Sequence, residues 1–197
     1  MARDVRMGIV EAAYGCVVRR GIGATSLEEV ARAAGVSRAT LYRYFPGGRD
    51  EVIGAVVSWQ TLSFFEVLAQ AVAGAPDLET LLVEGLLAAH RAVEEHAVLQ
   101  RLLATEPQLL VPQLTVESPQ IVAMLKGFFL ARFAGHRLRA GLEHAEAADY
   151  VARLVLSFIG SPGRWDLDDR DQVRELVRSE IMAGLVAPGE PFELSAS

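Results

Sequence analysis

Apolar residues recur at three- and four-residue intervals along almost the whole chain, and no segment alternates strictly as a half-buried strand would. The pattern predicts an all-α protein. A first helix over about residues 2–20 places Val5, Ile9, Ala13, Cys16 and Val17 on one stripe and stops at Gly21-Ile22-Gly23. Thr25 and Ser26 open a second, where Ser26 with Glu29 fits a capping box and Gly35 stands where a left-handed residue ends the helix. Ser37 caps a third helix beginning at Arg38 and stopped by Pro46-Gly47-Gly48. A long fourth helix, about 49–73, carries a seam of Val52, Val56, Trp59, Leu62, Phe65 and Leu68. Further helices are expected over about 77–96, 98–105, 119–138, 144–160 and 168–186. Pro107 and Pro112 bound an irregular piece, Ser118 caps the helix opening at Pro119, and the tail from Pro188 is expected to fray.

The second and third helices are short and joined by a glycine-containing turn, which is the arrangement of a helix-turn-helix, whose second member enters a DNA major groove. Ala34, Val36, Leu41 and Phe45 are expected to lock the pair from inside. Arg38, Thr40, Tyr42, Arg43 and Tyr44 then point wholly or partly outward.

Charge sharpens that picture. Residues 1–50 hold eight arginines against five acids, a net +3, so the rest of a chain of formal charge −6 carries −9. A basic head on an acidic body lets only the head meet a polyanion. The 197 residues, 51% of them hydrophobic, suffice for a substantial core, and disorder is not expected. Cys16, the only cysteine, reads as a small core residue and cannot form an internal disulfide. No signal-type apolar run follows MARDVRMG, and apolar stretches are broken by charge or by Gln, Ser and Thr before the roughly 20 residues of a membrane span. A cytoplasmic protein with no membrane partner is expected.

The run TSLEEVARAAGVSRATLYRYF, near the start of a chain of about 200 helical residues, resembles the TetR family of bacterial transcriptional regulators over residues 9–53. The resemblance implies an all-α fold in which an N-terminal three-helix DNA-binding domain with the helix-turn-helix (residues 1–48) precedes a larger C-terminal helical ligand-binding and dimerisation domain (residues 49–197). It implies a homodimeric repressor, released from a palindromic double-stranded operator by a small, hydrophobic effector. Carried onto matching positions, it makes Ser37, Thr40, Tyr42 and Tyr44 backbone or groove contacts and Thr25 or Ser26 a phosphate contact. Arg38 is the candidate base reader, since a guanidinium donates two hydrogen bonds to guanine, and Arg43 lies beside it. Two departures stand out. Ala39 occupies a position where the family often has glycine, and Gly48 one where a lysine is common; Arg49 is therefore assigned the phosphate-clamping role.

In the body, Trp59, Phe64, Phe65, His90, Met124 and Phe128 are candidate ligand contacts, as are Phe129 and Phe133, although each also reads as plain core. His96, His136 and His144 lack convincing metal-ligand spacing, and no metal or cofactor is expected. The acidic run Asp166 to Asp169 suits a helix start. Val151, Leu154, Val155 and Phe158 on one late helix, and Val173, Leu176, Val177 and Ile181 on the next, form stripes that could face the core or pair across a dimer. Neither an acid/base constellation nor a nucleotide motif appears, so an enzyme is not expected. The alternatives are a helical interaction module, or an enzyme, with a vestigial DNA-binding head.

Overall fold

Helix α1 (Val5–Arg20) lays Ile9, Val10, Ala13, Cys16 and Val17 into the interior of the N-terminal region. The computed structural model describes residues 5–105 and 119–186, and among these there is no strand. The expected irregular piece between Pro107 and Pro112, the Ser118 cap and the tail from Pro188 lie outside the described residues. The remaining helices are α2 (Leu27–Ala33), α3 (Arg38–Tyr44), α4 (Gly48–Val72), α5 (Leu78–Glu94), α6 (Ala97–Thr105), α7 (Pro119–Phe133), α8 (His144–Gly160) and α9 (Arg170–Leu176). After α9 the chain widens into a π-turn, Val177–Ile181, and tightens into a 3₁₀ turn, Met182–Gly184. The helix expected over 119–138 ends five residues early, where the chain passes through Ala134 and Gly135.

The residues gather into two units. Of the described residues, 5–64 with 96–105 form one, and 65–95 with 119–186 the other. Helix α4 contributes to both, and α6 joins the N-terminal unit.

The first unit closes around Ile9, Val10, Val30, Leu41, Phe45 and Val52. Val5, expected on the buried stripe, is 39% exposed. Leu62, expected in the α4 seam, is 64% exposed. Two successive steps of three residues, from Val56 through Trp59 to Leu62, lag behind the 3.6-residue turn, so a seam that starts at Val52 and Val56 has rotated outward by Leu62.

Helix α4 also corrects the expectation that every apolar run is cut short. By length and composition it is long and apolar enough to cross a membrane, with a mean hydropathy of 1.5 over its most apolar stretch. The hydroxyls of Ser58 and Thr61 do not interrupt it, because they bond back to the carbonyls of Gly54 and Val57 within the helix.

The second unit is built on Leu78, Leu82 and Leu86 of α5, Phe129 and Phe133 of α7, Val151 of α8 and Val173, Leu176 and Ile181 beyond it. Its helix starts are capped by side chains: Asp77 accepts from the Thr80 amide at 2.7 Å, and Asp169 accepts from the Asp171 and Gln172 amides. The acidic run is therefore a helix start, as its sequence suggests. Arg170 pairs with Glu84 and Arg178 with Glu79, tying the C-terminal helical segment to α5.

That packing overturns part of the expected dimer surface. Val151, Val173, Leu176, Val177 and Ile181 are all 0% exposed, and Val155 is 6% exposed, inside their own unit. Residues already enclosed by one chain have no surface left for a second. Of the set, Leu154 and Phe158 are half-buried and retain an outward edge.

Candidate nucleic-acid interface

Helix α2 ends in a pair of hydrogen bonds that aim the following turn. The Val36 amide donates to the Ala31 carbonyl at 2.9 Å and the Gly35 amide to the Arg32 carbonyl at 3.2 Å, with Gly35 at φ +67°. This is a Schellman ending, and its left-handed residue has to lack a Cβ to adopt that φ without cost. The chain leaves the turn already directed into α3.

Ser37 starts α3. Its hydroxyl accepts from the Thr40 amide at 3.0 Å and lies 2.9 Å from the Thr40 hydroxyl, so the two side chains sit together at the helix start. Leu41 and Phe45, 1% and 0% exposed, anchor the helix from beneath, with Ala34 and Val36 packed against the same cluster. Arg38, Ala39, Tyr42 and Arg43 are left on the outside, whereas Tyr44 is half-buried against the cluster with the Arg43 guanidinium over its ring.

The distribution of paired charge is uneven. Arg20 meets Glu29 at 3.2 Å, Arg32 meets Glu28 at 3.4 Å, and Arg49 lies 3.8 Å from Asp50. Arg38 and Arg43 have no such carboxylate partner among the described residues. The uncompensated positive charge of α2, α3 and the start of α4 therefore sits on the exposed face of α3.

Three expectations about this region change. Thr25 is 3% exposed and its hydroxyl donates to the Gly21 carbonyl at 2.8 Å, so it is turned away from any phosphate. Ser26 does cap α2, accepting from the Glu29 amide at 3.3 Å, but the Glu29 carboxylate reaches Arg20 and the capping box is only half made. Arg49 spends its donors internally. Its Nε donates to the Thr25 carbonyl at 3.1 Å and its Nη2 to the Ile22 carbonyl, which staples the start of α4 to the α1–α2 loop. Gly48, just before Arg49, adopts φ +69°, a conformation that favours glycine.

Helix α6 adds two contacts that sequence reading misses. Arg101 donates to the Val18 and Arg19 carbonyls at 3.1 and 3.0 Å, covering the end of α1. His96 Nδ1 accepts from the Leu99 amide at 3.1 Å, while Nε2 faces the Gln60 side chain at 3.0 Å. Arg101 and its two carbonyls, and His96 and Gln60, are far apart in sequence, and no motif or spacing announces them.

The expected ligand contacts do not converge as one set. Trp59 packs edge-on against Tyr14 at 5.6 Å in the first unit and lines an open groove of about 460 Å³ with Met7, Val10 and Ala55. Phe64 also belongs to the first unit. In the second, the Phe65 and Phe128 rings lie 5.7 Å apart, with Phe129 5.4 Å from Phe128 and Phe133 5.7 Å from Phe129. His90 faces Asp168 at 3.6 Å, and Met124 is 38% exposed on α7. Cys16 is fully buried, burial pushes its thiol pKa up, and Arg19 donates to its sulfur at 3.3 Å. No group of three or more His, Cys, Asp or Glu side chains able to hold a metal occurs among the described residues.

A family model for bacterial regulatory proteins, tetR family, matches residues 9–56, which is the three-helix head and the first turns of α4. The chain belongs to the TetR family. An HTH-type transcriptional regulator of Mycobacterium tuberculosis is 27% identical to this TetR-family chain over 169 residues, covering 86% of this chain and 81% of the relative. A second regulator from that organism is 36% identical over 83 residues, 42% of each chain. Among solved structures, the TetR family repressor AlkX from Dietzia sp. has a TM-score of 0.63 at 24% identity, covering 90% of this chain and 98% of that one. The repressor QsdR of R. erythropolis has a TM-score of 0.57 at 18% identity, covering 95% and 98%. These last two show the shared fold. The protein is a TetR-family, DNA-binding transcriptional regulator.

Proposed function

We propose that this regulator is a cytoplasmic homodimeric repressor that binds a palindromic operator through α3 and leaves it when a small hydrophobic ligand occupies the second unit, without catalysing a reaction. One observation carries the DNA part: Arg38 and Arg43 stand uncompensated on the exposed face of a helix whose start gathers the Ser37 and Thr40 hydroxyls. A guanidinium suits a guanine edge, and hydroxyls and amides at a helix start suit phosphate oxygens. Tyr42, 43% exposed, flanks them.

Dimerisation follows from what α3 can do alone. A seven-residue helix covers one groove face, and an operator of two half-sites needs a second copy at a set spacing. The enclosed stripes of α8 and α9 are unsuited to that contact. Met124 and Leu130 on α7, with the outward edges of Leu154 and Phe158 on α8, offer apolar surface on two helices that pack together. Repression and release fit a ligand-linked equilibrium. If the ligand weakens operator binding a hundredfold, operator-bound protein binds ligand a hundredfold more weakly, a coupling of about 2.7 kcal/mol. The solved structure of SmeT in complex with triclosan shows a small hydrophobic molecule bound by a protein of this fold.

An operator selection with purified protein, followed by salt-titrated gel shifts, tests this function. Salt-dependent binding to a selected palindrome is the expected result. Indifference to every duplex at low ionic strength would remove the DNA-binding role and favour an interaction module.

A further inference from the structure

The cluster Phe65–Phe128–Phe129–Phe133 has a cation at its edge. Arg132 lies one turn beyond Phe128 on α7, its guanidinium carbon 3.5 Å from the centre of the Phe128 ring and its Nη1 donating to the Phe128 carbonyl at 2.9 Å. It is half-buried, and burial pulls its pKa down from the ordinary arginine value. No carboxylate among the described residues acts to pull it back up. Arg153, Arg164, Arg170, Arg174 and Arg178 of the same unit each sit against an acid.

A half-buried cation with no counter-ion is costly unless something else satisfies it. The guanidinium has five N–H donors in a planar fork matched to a carboxylate, and the Phe128 carbonyl takes one of them. The adjoining Phe128 and Phe65 rings present apolar surface beside that fork. Both rings are half-buried.

We infer that the effector of this regulator is a hydrophobic monocarboxylate, whose carboxylate is received by Arg132 and whose apolar body lies against Phe128 and Phe65. The inference rests on the reading of the second unit as the ligand-binding part. A neutral hydrophobe of the same shape leaves the guanidinium unsatisfied, and a cationic one is repelled by it.

Three ten-carbon probes with different headgroups test the assignment on the full chain by calorimetry and thermal melting: decanoate, decanol and decyltrimethylammonium, each below its micellar concentration. Decanoate is expected to bind at least tenfold more tightly than decanol and to raise the melting temperature, with decyltrimethylammonium weakest. Arg132→Gln should cost decanoate tenfold or more while leaving decanol unchanged, and Arg132→Lys should recover part of the loss. Equal binding of decanoate and decanol, or decanoate affinity untouched in Arg132→Gln, overturns the carboxylate assignment and leaves a hydrophobic-effector reading intact. Failure of all three probes to bind overturns both. Should Arg132→Gln fail to fold, the headgroup series on the unaltered protein and the lysine variant still decide.

Discussion

Arg49 Nε donates to the carbonyl of Thr25 at 3.1 Å, so the first turn of α4 holds the loop 24 residues earlier from which α2 departs. A second donor of the same guanidinium reaches Ile22. The DNA-binding pair is thus held to α4 not only by the shared core of Val30, Leu41, Phe45 and Val52 but also by a side chain whose position in sequence suggests a phosphate contact. Removing it, as Arg49→Ala, should lower stability by about 1–2 kcal/mol: hydrogen bonds from charged groups are worth roughly 1.5–3 kcal/mol, and this side chain, 39% exposed, is partly screened. Urea unfolding measures that loss. If instead stability holds and the salt dependence of DNA binding drops by about one phosphate, Arg49 is a clamp after all.

The two unpaired arginines of α3 should separate in their effects. Arg38→Ala is expected to lose about 1–3 kcal/mol per half-site on the selected operator and little on mismatched duplexes, as a base contact does. Arg43→Ala should weaken all duplexes together and shallow the salt slope. Gel shifts on matched and mismatched sequences distinguish them, and equal losses on every sequence for Arg38→Ala would remove it as a reader.

Enclosed and exposed apolar residues of the second unit should also part company. Met124→Asp with Leu130→Asp places charge on surface that is 38% and 40% exposed in the single chain, so the protein should stay folded and become monomeric. Val173→Asp puts a carboxylate at a position that is 0% exposed and should unfold it. Light scattering combined with circular dichroism reads both outcomes. A dimer that survives the double substitution moves the interface elsewhere.

Stability should depend on pH through His136. Burial lowers its imidazole pKa below the ordinary value of 6.5, with Asp77 opposing and His144 reinforcing the shift. The unfolded chain then binds the proton more readily than the folded one. Stability is full above pH 6.5 and declines as pH falls below it toward the depressed folded value. Thermal melts across that range should show the decline, and His136→Asn should flatten it.

Tyr150 and Gly184 form a matched pair. The tyrosine hydroxyl donates to the Glu180 carbonyl at 2.9 Å inside the π-turn, and a Cβ on Gly184 would lie 2.5 Å from the Tyr150 ring. Gly184→Ala should therefore displace the ring and destabilise by about 1–3 kcal/mol. Tyr150→Phe, which loses only the hydrogen bond, should cost about 1 kcal/mol. A Gly184→Ala melt identical to the parent's would mean that the ring moves aside without loss.

Local pattern alone was enough for the helices and for the recognition motif. Ser26, Gly35 and Ser37 act within three or four residues of themselves, and the apolar spacing around Leu41 and Phe45 leaves few choices about which face is buried. For the same reason the pattern by itself puts Arg38, Tyr42 and Arg43 on the outside. What the pattern left undecided was the identity of each partner across long separations. A stripe such as Val173, Leu176 and Ile181 says that a helix buries one face without saying whether its own α5 or a second chain covers it. Arg49 and Arg101 carry donors that suit a phosphate, a carbonyl or a carboxylate equally well, and both reach carbonyls distant in sequence. Only the tertiary structure decided among them, because hydrogen-bond and charge energies fall away within a few ångströms and depend on which groups folding brings that close.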